Sequence, residues 1–319
     1  MLHNELAMAQ GLDVTGELLK SVSRSFYLTI KFLPKQMRPG VALGYMLARA
    51  TDSVADAFDT AKKDKMRALQ EMRSAICNDA TEAVVHELNF LLTQVIAPTL
   101  SVASERTLLG EFRACLEALQ TFPHSQKVLI RKVLSIIIDG QLWDLTAFDE
   151  RDTVQTDDDT RHYTYMVAGC VGEFWTLLGY ETMGESFCTL THKDIMLQAA
   201  VRYGQGLQLI NVLRDMEEDA RRGRHYLCSD ASKWLRRAMS YMNDGVDYSR
   251  RLGTFRLRFA TILPALLGKK TLHLLAQSTL GRGKVKIRRC AVYGALLRAV
   301  WLCWWRKRSF SAYAEKSQK

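Results

Sequence analysis

Apolar residues recur at helical spacing along nearly all of this chain, and a strand-like alternation is nowhere sustained. Helix breakers are scarce, with 5 Pro and 19 Gly in 319 residues. A chain this poor in the residues that end helices builds mostly from helices. Its 48% hydrophobic content is enough to bury one large core, and 24% charged residues beside it excludes wholesale disorder. The fold class that follows is all-α: a single helical bundle over residues 1–319, with antiparallel helices around a central cavity.

Four helices stand out. Val41, Tyr45, Ala48 and residues 51–55 mark one that is entered after Pro39. Residues 127–145 mark a second, with Val128, Ile130, Val133, Leu134, Ile137 and Ile138 on its apolar side. Residues 163–180 mark a third, whose small residues Ala168, Gly169, Gly172 and Gly179 permit close helix approach. The fourth spans residues 194–220 and is stopped by Gly223. Residues 34–40 and the acidic stretch 149–159 are expected breaks. There is no repeat, low-complexity tract or Pro/Ser-rich linker.

The formal net charge is +10, with much of the excess after residue 220. Nucleic acid, an anionic membrane surface and a phosphorylated substrate all suit that asymmetry. Nucleic acid is set aside, because the basic residues lack an accompanying binding motif. Seven Cys without Cys-x-x-Cys spacing read as reduced, buried thiols, and the first residues lack a secretory pattern. A cytoplasmic protein is expected. Residues 290–308 combine Val292, Leu296, Val300, Trp301, Trp304 and Trp305 with the basic run 306–308. That stretch is too short and interrupted to span a bilayer. It suits either a final core helix or a helix lying on a membrane surface.

Two acidic clusters carry the chemistry. Asp52 and Asp56 are four apart, one turn along a helix face that also holds Tyr45 and Arg49. Like charges at that spacing repel, and a divalent cation between them removes the penalty. In the second cluster Gln208, Asn211, Asp215 and Asp219 form a polar stripe on an otherwise apolar helix, with Glu218 at its edge. A polar stripe facing a bundle interior is costly unless paired or metal-bound. Hard oxygen ligands without nearby His or Cys suit Mg²⁺, which takes one or two carboxylates together with substrate phosphates. Two facing stripes can therefore clamp a diphosphate through bridging metals, with Arg24, Arg49, Arg214 and Arg224 on the phosphate oxygens. Either cluster alone also reads as a solvated, salt-bridged helix face.

Several segments occur in an order that resembles the squalene/phytoene synthase family, the head-to-head prenyl synthases of the isoprenoid synthase fold. Ser23-Arg24-Ser25-Phe26 is similar to the family's N-terminal segment, and residues 45–56 to its first aspartate-rich motif. Residues 140–145 resemble a segment that usually reads Gly-Met before its Asp-Leu; Gln141 stands in place of that Met. Residues 163–172 resemble its Tyr-Cys-x-x-Val-Ala-Gly motif, with Thr164 for the Cys. Residues 211–219 and 223–227 resemble its most diagnostic segment, with Cys228 where a Pro often follows.

The resemblance implies roles residue by residue. Asp52, Asp56, Asp215, Glu218 and Asp219 would bind Mg²⁺. Ser23, Arg24, Arg49, Asn211, Arg214 and Arg224 would contact diphosphate. Tyr45, Arg49 and Tyr163 would act at the reaction centre, Tyr163 steering ionisation and proton loss. The cation formed needs a dry cavity with aromatic faces, and Phe26, Phe174, Trp175 and Tyr203 can line one. Residues 283–289 resemble a C-terminal Val-Lys-Ile-Arg segment of squalene synthases, which makes Lys286 and Arg288 candidates for NADPH phosphates. The expected activity is condensation of two farnesyl diphosphates to squalene by a monomer, with NADPH as reductant and peripheral membrane contact. The alternatives are a dehydrosqualene or phytoene synthase without hydride transfer, and a non-catalytic lipid-binding or assembly protein of the same fold. A head-to-tail prenyl transferase fits less well, because residues 215–219 lack that class's run of consecutive Asp.

Overall fold

The computed structural model describes residues 16–23, 26–78, 81–149, 152–188, 191–277 and 289–304. Among these, fourteen α-helices follow one another and no strand is present. The first half holds α1 (Glu17–Ser23), α2 (Phe26–Phe32), α3 (Arg38–Ala55), α4 (Lys62–Cys77), α5 (Glu82–Phe90), α6 (Ala103–Gly110) and α7 (Phe112–Gln120). The second half holds α8 (His124–Thr146), α9 (Asp157–Thr164), α10 (Cys170–Met183), α11 (Lys193–Arg221), α12 (Ala231–Arg251), α13 (Phe255–Gln277) and α14 (Arg289–Trp304).

The expected helices are present, with two refinements. α3 carries Pro39 in its first turn, where a missing N–H costs nothing. The third expected helix is α9 and α10 joined by a π turn, Tyr165–Gly169. The acidic stretch 149–159 is a break only in its first part. Thr156 caps α9, accepting from the Asp159 N–H (3.1 Å), while the Asp159 carboxylate accepts from the Thr156 N–H (2.8 Å). Asp157, Asp158 and Asp159 thus occupy the first turn of α9, where the helix dipole favours negative charge. Gly223, two residues past α11, has φ +70°, the left-handed conformation that ends helices.

The core is set by helix faces turned toward one another. Leu43, Met46 and Leu47 of α3, Leu134 and Ile138 of α8, Leu209 and Leu213 of α11, and Trp234 and Met242 of α12 are buried. Each such side chain contributes about 1.5–3 kcal/mol relative to exposure. Small residues bring the helices on either side of the cavity into backbone contact. A Cβ at Gly172 would lie 2.1 Å from the Ala200 carbonyl oxygen, and one at Gly204 would lie 2.2 Å from that of Ala168.

α14 packs Ala299 and Cys303 against Ile262 and Leu266 of α13, and Arg258 Nε donates to the Cys303 carbonyl at 2.9 Å. Its opposite face leaves Leu297, Val300, Trp301 and Trp304 exposed. The C-terminal helix is therefore attached to the bundle on one side and apolar toward solvent on the other. Among the described residues no helix is long and apolar enough to cross a membrane.

Candidate functional site

A cavity of about 370 Å³ lies inside the bundle, bounded by side chains of α2, α3, α8, α10, α11, α12 and α13 together with the π turn. That volume is in the range of small-molecule sites. Phe26, Tyr45, Phe174, Trp175 and Tyr203 supply aromatic faces, so all four aromatics expected to line the space do so. Phe26 stacks on Tyr45 with ring centroids 5.2 Å apart. Tyr203 is buried and donates its hydroxyl to the Thr261 carbonyl at 2.7 Å, in the turn that leads to Pro264 inside α13.

Asp52, Gln208 and Asn211 are the last residues of α3 and α11 that line the cavity. Beyond them the two helices carry the two acidic clusters. Asp52 is pushed up to about 6, first by burial and then by Asp56, against the opposing pull of Arg49 and Gln141. Asp219 is likewise pushed up to about 6, by burial and by Asp215. Asp56 is raised by desolvation, and among the charges around it Arg49 lowers it while Asp144 raises it. Asp144, on α8, acts on Asp56 and on Asp219 alike, so it lies between the two clusters. Asp144 is itself raised by burial, against hydrogen bonding from Tyr226 and the charge of Arg224.

The arginines expected on diphosphate are held by carboxylates. Arg49 pairs with Glu105 of α6. Arg214 forks onto its neighbour Asp215, at 2.8 and 2.5 Å. Arg224 donates to Asp144 at 2.8 Å. Each is a cation beside the acidic clusters: Arg49 and Arg224 act on Asp56, Arg224 also on Asp219, and Asp215 and Asp219 act on Arg214. Glu218 pairs with Arg222 one turn on (2.6 Å), both about two-fifths exposed, and the same Arg222 charge acts on Asp219. The Asn211 amide donates to Gln208 at 3.2 Å along the same helix. Ser23 is buried and its hydroxyl donates to the Leu19 carbonyl inside α1, while the Tyr45 hydroxyl donates to the Val22 carbonyl at 3.3 Å. Arg24, Lys286 and Arg288 lie outside the described residues.

Tyr163 sits in an aromatic group beside the acidic end. Its ring stacks on Tyr226 (4.8 Å between centroids) and lies 5.3 Å from Trp143. Burial raises its hydroxyl pKa well above the usual value, with Asp144 and Tyr226 adding to the effect. Tyr163 is thus a neutral hydroxyl near a cluster of carboxylates. The Tyr226 hydroxyl donates to Asp144 at 2.5 Å, which ties this group to Arg224.

Among the described residues no three His, Cys, Asp or Glu side chains converge closely enough to hold a metal by themselves. The carboxylates instead come in pairs, Asp52 with Asp56 and Asp215 with Asp219, each pair mutually repelling. Paired carboxylates that leave room for phosphate oxygens fit Mg²⁺, which rarely takes an all-protein cage.

Sequence reasoning did not single out Asp144, Gln141, Glu105 or Lys65. Asp144 had a signal, because a lone acid in an apolar helix needs a partner. Gln141 donates to Asp52 at 2.6 Å and was read only as a departure from a pattern. Lys65 reaches the same end from α4, donating to the Ala55 carbonyl at 3.3 Å, and nothing in its basic surroundings marked it.

Known proteins resemble this chain in sequence and in fold. The squalene/phytoene synthase family matches residues 19–234. A bifunctional lycopene cyclase/phytoene synthase of Blakeslea trispora is 27% identical over 239 residues, covering 74% of this chain and 35% of that protein. A squalene synthase of Schizosaccharomyces pombe is 25% identical over 214 residues, covering 66% of this chain and 42% of that protein. The chain thus spans well under half the length of these relatives. In three dimensions it is similar to the complex of TcSQS with the ligand BPH1237, with a TM-score of 0.70 at 22% identity over 93% of this chain and 86% of that one. That likeness shows the isoprenoid synthase fold expected from the sequence. Together with the ordered motifs and the two acidic helix ends above one apolar cavity, the match over residues 19–234 places this chain in the squalene/phytoene synthase family.

Proposed function

We propose that the protein joins two farnesyl diphosphates head to head through presqualene diphosphate and reduces the product to squalene with NADPH. The observation that carries the reading is the meeting of the acid-bearing ends of α3 and α11 at one end of an apolar, aromatic cavity. Such a space takes a prenyl tail, and its acidic end takes a metal-bound diphosphate.

Asp52, Asp56, Asp215 and Asp219 would hold Mg²⁺, which when bound neutralises the leaving diphosphate and so assists allylic ionisation. Arg49, Arg214 and Arg224 exchange their carboxylate partners for phosphate oxygens. As the first allylic C–O bond breaks, diphosphate leaves with the electron pair. The aromatic lining excludes water from the cation and offers π faces to it. The double bond of the second prenyl group attacks, and a proton departs to give the cyclopropylcarbinyl diphosphate. Tyr163, neutral and beside the acidic end, steers that proton toward the departed diphosphate. A second ionisation and rearrangement follow, and NADPH, when bound, would supply the hydride that quenches the last cation. Lys286 and Arg288 are the proposed contacts for the cofactor's phosphates.

The similarity to phytoene synthase sequences supports a second reading, in which the last cation loses a proton and no hydride is transferred. Incubation with farnesyl diphosphate and Mg²⁺, with and without NADPH, followed by hydrocarbon analysis, separates the two. Squalene only with NADPH supports the first; dehydrosqualene under both conditions supports the second. Absence of any hydrocarbon would favour a non-catalytic role. Tyr163→Phe is expected to slow formation of the cyclopropyl intermediate, and an unchanged rate would remove Tyr163 from the reaction centre.

We further propose that the exposed face of α14 rests on an anionic lipid surface. Leu297, Val300, Trp301 and Trp304 recur at helical spacing on it and are all exposed. Arg298 is exposed beside them and close enough to Lys269 of α13 to lower that lysine's pKa, after burial. Tryptophan with basic neighbours is the composition of an interfacial helix.

A further inference from the structure

We propose that Gln141 is the positioning residue of the Asp52 carboxylate, presetting one of its oxygens toward a hydrated divalent cation; this rests on the metal-clamp reading above. Gln141 stands on α8 with 6% of its surface exposed. Its Nε2 donates to Asp52 Oδ1 at 2.6 Å and to Thr51 Oγ1 at 3.1 Å. Both amide hydrogens are therefore spent on neighbouring residues of α3, which leaves the Asp52 carboxylate little freedom to turn and its other oxygen available. The next residue back fixes the reach. A Cβ at Gly140 would lie 2.9 Å from the Met166 Cβ, so α8 is pressed against the π turn at this level.

The amide suits this task in a way that other side chains do not. A lysine would neutralise Asp52 and compete with the cation, and a second carboxylate would repel it. Methionine, which the family's corresponding segment usually carries, has no hydrogen to donate. The amide orients the carboxylate while remaining neutral. Its own oxygen, Oε1, is buried with no hydrogen-bond partner among the described residues. Buried polar atoms are rarely left so. Water molecules held on a divalent cation present hydrogens outward, and Oε1 is an acceptor for one of them beside Asp52. Groups in this outer position commonly change metal affinity by 10–100-fold when altered.

The test is Mn²⁺ affinity of the full chain in the presence of inorganic pyrophosphate, read from the electron paramagnetic resonance of free Mn²⁺, with no turnover required. Gln141→Met is expected to weaken Mn²⁺ binding about tenfold or more; its melting temperature falls with loss of the hydrogen bond to Asp52, offset in part by removal of the orphan oxygen. A merely structural glutamine would change the melting temperature and leave the affinity alone. A change of less than threefold in Gln141→Met, with Asp52→Asn clearly weakened, overturns the inference and leaves the metal clamp intact. Unchanged affinity in Asp52→Asn overturns the clamp and the inference together. Should Gln141→Met fail to fold, Gln141→Asn, whose shorter amide does not reach Asp52, carries the same readout.

Discussion

Arg224 donates to the carboxylate of Asp144 across 2.8 Å, joining the loop after α11 to the last turn of α8. The same carboxylate receives the Tyr226 hydroxyl at 2.5 Å, and Tyr226 stacks on Tyr163. One acid on α8 thus sets a rim cation and an aromatic wall together. Tyr226→Phe keeps the ring and removes only the hydroxyl. It is expected to cost about 1.5–3 kcal/mol, the worth of a hydrogen bond to a charged group. Thermal melts of the two proteins, with near-ultraviolet circular dichroism to show that the ring stack persists, check this.

Asp52 has opposite consequences for stability and for activity. Its folded pKa, about 6, lies above the ordinary value of 3.8, chiefly through burial. A carboxyl raised in this way contributes stability below its unfolded pKa, and that contribution is lost as pH rises through about 6. Metal-free Asp52→Asn is therefore expected to melt a few degrees higher than the parent at pH 7.5 and at the same temperature near pH 4. Turnover of the same variant should be abolished. Melting curves at the two pH values and a product assay measure both; a lower melting temperature at pH 7.5 would contradict the burial argument.

Gly204→Ala places a methyl 2.2 Å from the Ala168 carbonyl oxygen, a backbone atom that cannot step aside cheaply. The two helices must separate where they wall the cavity. A loss of more than about 3 kcal/mol or failure to fold is expected, at the upper end for overpacking. Chemical denaturation with the Gly110→Ala variant as a control gives the comparison, since a Cβ there meets nothing within 4 Å.

Trp301 and Trp304 are 63% and 78% exposed, so changing them leaves the core untouched. The double variant Trp301→Glu/Trp304→Glu should keep its melting temperature and lose binding to vesicles containing phosphatidylserine, measured by co-sedimentation. Equal binding of parent and variant would remove α14 from any lipid contact. Concentration-dependent self-association of the parent, abolished in the variant, would assign the face to a second copy.

The fold was legible wherever periodicity was strong. The spacing of Val133, Leu134, Ile137 and Ile138 defined α8, and Pro39 and Gly223 marked the start of α3 and the stop beyond α11. The π turn was not legible, because Tyr165–Gly169 keeps helical composition and only the hydrogen-bond ladder changes. Asp157, Asp158 and Asp159 read as a break because acidic runs mark both loops and helix starts; the Thr156 cap decides between them. Of the site, the paired aspartates were visible because four-residue spacing fixes a helix face. The partners Glu105, Asp144 and Gln141 come from other helices, and no local spacing encodes which residues meet across a bundle.

The π turn sets how the chain can vary at this site. A single extra residue in a helix rotates everything before it by about 100° relative to everything after it. On one side of Tyr165–Gly169, Tyr163 addresses the acidic end; on the other, Val171 and Trp175 address the greasy one. Substitutions can change the chemistry of either wall separately. A one-residue deletion within the turn would regularise the helix and swing Tyr163 out of phase with the tail pocket. The residue count of this segment should therefore stay fixed, because the count is what holds the two halves of the site in register.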